Sequence, residues 1–159
     1  MAYRYWHGPA AGLVVTQVWE GHAARLFLSF GSLAPSDHML PSGAPGRPHG
    51  EYELTNMDSL TDWTLTLKGR ILATSESCCR LRESRLQRLL DRRLLSVQID
   101  ERFRSTVLTF TRQLVLRTQF YPNTRERRPH WLLRLSEKNW PPVILNGTNR
   151  RWRGKNGYD

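Results

Sequence analysis

A chain of 159 residues with 39% hydrophobic and 10% aromatic side chains holds enough apolar material for one ordinary domain or two small ones, which excludes a disordered chain. No run of about 18 apolar residues occurs, so no membrane-spanning helix is expected, and Met1 to Pro9 lacks the apolar segment of a secretory leader, which makes the cytoplasm the expected location. The formal charge of +10 is unevenly placed: residues 1–75 carry about five basic and six acidic side chains, so the excess lies in the second half, where it is almost all arginine.

Taken in chain order, Leu13 to Trp19 is a β-branched run, and Leu26, Leu28 and Phe30 alternate with Phe27 and Ser29. Both read as strands, with Gly21 supplying the turn of a hairpin. From Ser32 to Gly50 four prolines and three glycines are interleaved, which predicts a long surface loop without regular structure. Glu51 to Asn56 reads as a short strand. Trp63, Leu65 and Leu67 alternate, and Lys68-Gly69 turns the chain into a second hairpin strand over Ile71 to Ser75.

After Ser75 the period changes. Leu81, Leu86, Leu89 and Leu90 fall at helical spacing, with Arg82, Arg85, Arg88 and Arg92 between them and Ser77 or Ser84 as the candidate cap. Strands follow over Leu94 to Asp100, Ser105 to Phe110, Gln113 to Phe120 and Trp131 to Leu135, then Val143-Ile144-Leu145 beyond the Pro141-Pro142 interruption. From Asn146 onward Asn, Gly and Arg dominate, as in a loose basic tail.

The order strand, strand, Trp-x-Leu occurs twice. A shift of roughly 80 residues pairs Val18 with Val97 and Phe30 with Phe110, and Trp63 meets Trp131 once the proline-rich loop is skipped. The fold class expected is α+β, mostly β: two similar β-rich halves, residues 1–75 and 76–145, joined by a short arginine-bearing helix at the head of the second, with 146–159 as the tail.

Chemistry-bearing motifs are sparse. The sequence contains no glycine-rich phosphate loop, no Cys-x-x-Cys, no His-Glu-x-x-His and no Gly-x-Ser-x-Gly. Its five histidines stand singly, so no metal site, cofactor or catalytic residue is expected. Cys78 and Cys79 precede the helix, where positive charge and the helix N-terminus would lower a thiol pKa; small buried filler is the plainer role for a cysteine.

Arginine grips carboxylates and phosphates bidentately, so an acidic partner is expected, although a solvated surface carries the same composition. The candidate partner-binding residues are Arg82, Arg85 and Arg88 on the helix and Arg125, Arg127 and Arg128 in the loop after Phe120, which a rigid scaffold can present. The alternative partner is nucleic acid, with Arg150, Arg151 and Arg153 on phosphates around a stacking Trp152.

The doubled pattern, Val15-Thr16-Gln17-Val18 with Phe30 and Trp63, then Leu94-Leu95-Ser96-Val97 with Phe110 and Trp131, resembles small bacterial immunity-type proteins paired with polymorphic or contact-dependent toxins. The likeness covers about Leu13 to Leu135. It implies a non-catalytic binding protein that neutralises a toxin or effector by occluding its surface. Many such partners are acidic because they block basic nucleases, so a basic chain implies a toxin with an acidic face.

Overall fold

The computed structural model describes residues 3–6, 10–21, 25–37, 39–56, 61–100, 105–120, 131–135 and 143–145. The strands are β1 (Tyr3–Trp6), β2 (Val15–Glu20), β3 (Leu26–Phe30), β4 (Tyr52–Asn56), β5 (Thr61–Leu67), β6 (Arg70–Thr74), β7 (Leu94–Asp100), β8 (Ser105–Phe110), β9 (Leu114–Phe120), β10 (Trp131–Leu135) and β11 (Val143–Leu145). One helix, α1 (Cys79–Leu86), runs into a 3-10 turn over Gln87–Leu89. The expected mostly-β α+β class is what the structure contains. No helix among the described residues is long and apolar enough to cross a membrane.

All strand pairings are antiparallel and form two sheets, ordered β1-β7-β8-β9-β5-β6 and β11-β10-β4-β3-β2. Alternation explains which side chains turn inward: Leu26, Leu28 and Phe30 are buried from β3, Trp63 and Leu65 from β5, and Leu114 and Leu116 from β9. With Leu86 and Leu89 of the helical segment they form one hydrophobic cluster shared by both sheets. The strands before residue 76 are divided between the sheets, because β5 pairs with β9 and β4 with β10.

The β2–β3 and β7–β8 pairings have similar registers. In one, β2 and β3 pair Val15 with Phe30 and Val18 with Leu28, with a bulge between Val15 and Gln17. In the other, β7 and β8 pair Leu94 with Phe110 and Val97 with Leu108, with a bulge between Leu94 and Ser96. Trp63 stands opposite Thr118, and Trp131 opposite Asn56. The sheets meet where Val14 bridges Arg93, flanked by Val15 N–H on Arg92 O at 2.8 Å and Leu94 N–H on Leu13 O at 3.1 Å.

Two expectations change in detail. The helix is capped by neither serine: its N-cap is Cys78, without a side-chain hydrogen bond, while Ser77 Oγ accepts the Thr74 N–H at 3.0 Å and Ser84 is exposed within the helix. Ser77 falls one residue too early and is used by the turn after β6. The Ser32 to Gly50 loop is also more ordered than its composition predicts. It doubles back as an arm through bridges of Ala34 to His49 and Met39 to Pro45, tipped by a turn in which Leu40 N–H donates to Ala44 O at 2.8 Å. Prolines deny it backbone donors, so the bridges do not extend into a ladder.

Candidate functional site

The outward edges of β7 and β2 are closed differently. On β7, the outward edge is occupied by β1, with Trp6 opposite Val97 and Arg4 opposite Ile99. The corresponding edge of β2 faces α1 and its 3-10 extension. There Gln87 Nε2 donates to Val18 O at 3.3 Å, a side-chain amide standing where the other sheet has a strand. Between β2 and the helix lies a groove of about 660 Å³, lined by Thr16 to Glu20, by Glu83, Ser84, Leu86, Gln87 and Leu90, and by Arg47 of the arm.

One ion pair fixes the helix against the strand. Arg82 Nε lies 3.0 Å from both Glu20 carboxylate oxygens and Nη2 lies 2.8 Å from Oε1, while Nη1 donates to Ser75 O at 3.2 Å and Ser77 O at 2.6 Å. The fork geometry of arginine satisfies a carboxylate and two carbonyls together, which lysine's single ammonium does not reproduce. The Glu20 and Arg82 side chains are only 12% and 21% exposed, so the pair is partly withdrawn from water and holds the groove's wall in place.

On the groove's other flank Trp19 stacks on Phe27, ring centroids 4.9 Å apart and planes 1° from parallel, and the Arg47 guanidinium lies 4.3 Å from the Trp19 centroid. This cation–π contact ties the arm to β2. Gln17 contributes a buried Oε1 that no donor satisfies among the described residues. A buried acceptor left unpaired is costly, and it marks where a ligand donor gains most.

The candidate arginines take different roles. Arg82 is spent on Glu20 and the carbonyls, so its contribution is to position the helix. Arg88 is exposed, and Arg85 is half-buried with its Nε unpaired. Arg125, Arg127 and Arg128, and likewise Arg150, Arg151, Trp152 and Arg153, lie outside the described residues. The expected lowering of a thiol pKa is not what Cys79 shows. Its Sγ lies 3.4 Å from Glu83 Oε1, and that hydrogen bond and the carboxylate charge push the thiol upward, outweighing Arg82. Both cysteines are exposed and free. Among the described residues no group of three His, Cys, Asp or Glu side chains is placed to hold a metal.

Sequence reasoning missed Gln17, Glu20, Trp19 and Arg47. Glu20 and Arg82 are 62 residues apart, and Arg47 sits in a proline-rich loop, so no local periodicity connects them. No family model matches the chain, and no curated protein or solved structure is similar to it.

Proposed function

We propose that this chain is a non-catalytic, cytoplasmic binding protein that neutralises an acidic protein partner, a toxin or effector, by covering its surface, as the resemblance to immunity-type proteins implies. The observation that carries the reading is the rigid presentation of the helix: the Glu20–Arg82 clamp fixes α1 beside an open groove while Arg80 on α1 and Arg88 in the following 3-10 turn remain exposed. Exposed arginines on a fixed element steer an acidic partner and lose little entropy on docking. Arg125, Arg127 and Arg128, outside the described residues, are proposed from the sequence as further contacts with the same partner.

The architecture carrying this surface is proposed to be an interleaved duplication, residues 1–75 and 76–145. Supporting it are the matched bulges in β2 and β7, the Val18–Leu28 and Val97–Leu108 pairings, and the way β5 and β10 each extend the meander of the other half. The test is a pull-down with a neighbouring-gene product that arrests growth, beside a thermal melt. Reversing Arg88, Arg125, Arg127 and Arg128 to Glu is expected to abolish capture while the melt is nearly unchanged, since exposed charges contribute little to stability. Full capture by the reversed chain would place the partner elsewhere.

A further inference from the structure

The outward edge of β2 is covered at Val15, whose N–H donates to Arg92 O and whose O accepts from Asp91 N–H, but from Val18 onward it has the pattern of a strand with an absent neighbour. Gly21 N–H donates to Arg25 O at 2.8 Å, continuing a register in which Gln17 and Trp19 exchange bonds with Ser29 and Phe27. Antiparallel alternation then turns the backbone groups of Val18 and Glu20 away from β3. Val18 O bears this out, since it meets the Gln87 side chain from the helix side. The corresponding positions of β7, Val97 and Ile99, are the ones opposite which β1 lies.

We propose that the groove between β2 and α1 receives an extended acidic segment of the partner protein as an added antiparallel strand on β2, as β1 is added to β7. This deepens the binding-protein reading and rests on it. Main-chain bonds to Val18 and Glu20 supply attachment, and side-chain chemistry supplies selectivity, the usual division in strand addition. Entry requires the Gln87 amide to swing off Val18 O, releasing one long bond of 3.3 Å from an exposed side chain.

The surroundings of the groove favour an acidic strand over a basic one. Glu20 is paired with Arg82, and the Glu83 carboxylate and the Arg47 guanidinium offset one another in the lining, while Arg80 and Arg88 stand exposed on the helical segment of a chain whose net charge is +10. The buried Gln17 Oε1 offers an acceptor to an N–H of the incoming segment.

The probe is a fluorescent synthetic peptide of alternating valine and glutamate, titrated against the full chain by anisotropy. Controls are the same peptide N-methylated at alternate residues and a valine–lysine counterpart. Hydrogen exchange at Val18 and Glu20 is followed in parallel. Binding of the acidic peptide alone is expected, with slowed exchange at those two amides and a loss of about tenfold or more in affinity for Ser84→Trp, which fills the groove from an exposed helix position. Gln87→Ala is expected to tighten binding by freeing Val18 O.

Binding that survives both Ser84→Trp and N-methylation overturns strand addition in favour of plain charge attraction, and no binding by the acidic peptide overturns it outright. A concentration-dependent dimer that Ser84→Trp abolishes, without peptide binding, makes a second copy the occupant and also overturns the proposal. If the growth-arresting product is captured equally by Ser84→Trp, the groove assignment fails while the inhibitor reading stands. If the peptide adds to β2 but no growth-arresting product is captured, the inhibitor reading fails and strand addition stands.

Discussion

Trp63 carries the largest fully buried side chain of the core, yet its indole N–H finds no acceptor among the described residues. The ring's burial and the orphaned donor oppose one another. Trp63→Ala is expected to destabilise the fold by about 3–5 kcal/mol in urea melts, as for large aromatics cut from a core. Trp63→Phe keeps most of the apolar contact and removes the unpaired N–H, so its cost should be well under half as large. Equal losses for the two would mean that the indole N–H has a partner in solution. Gly50 is constrained differently: a Cβ there would stand 2.5 Å from Phe30 O and 2.8 Å from Phe30 N, both backbone atoms that cannot rotate aside. Gly50→Ala should therefore cost about 2 kcal/mol or more, within the range that overpacking produces. Cys79 supplies a chemical check. Glu83 raises its thiol pKa, so alkylation by iodoacetamide at neutral pH should be slow at Cys79 and should accelerate in Glu83→Gln. An unchanged rate in that variant would show that the carboxylate does not control the thiol.

Hydrogen exchange compares the two sheet edges directly, because β7 and β2 carry different covers. Val97 and Ile99 lie beneath β1, whereas Val18 and Glu20 face the groove. Without a ligand, the amides of Val18 and Glu20 should exchange faster than those of Val97 and Ile99. Equal protection would mean that β2 is already fully paired. The strands themselves were legible in the sequence, because Leu26-Phe27-Leu28 and Trp63-Thr64-Leu65 alternate as half-buried strands must. β1 was not: Tyr3 to Trp6 is only four residues, and its pairing with residues 97–100 is a matter of tertiary order. Nor did helical spacing disclose the site. Leu86 and Leu89 are buried as expected, but Leu81 is exposed, and Arg82 proved to be a clamp whose partner, Glu20, lies on a distant strand. Breaking that clamp with Arg82→Ala should cost about 1–3 kcal/mol, the range for charge-assisted bonds partly shielded from water, against less than about 0.5 kcal/mol for exposed Arg88→Ala.

At the scale of the molecule, a net charge of +10 attracts any polyanion, so nucleic-acid binding must be separated from protein capture by salt. Association with single-stranded RNA should fall steeply as salt rises and be weak and sequence-blind at physiological ionic strength. Nanomolar binding under those conditions would favour the nucleic-acid alternative. The central claim, neutralisation by occlusion, is tested most directly by co-expressing with this chain a neighbouring-gene product that arrests growth, and following growth. The account predicts that growth is restored by the intact chain through a stoichiometric complex that survives physiological salt. It also predicts that the Arg88, Arg125, Arg127 and Arg128 reversal, though folded, restores neither growth nor complex. Growth arrest in the presence of the intact chain, with no complex formed, would contradict it.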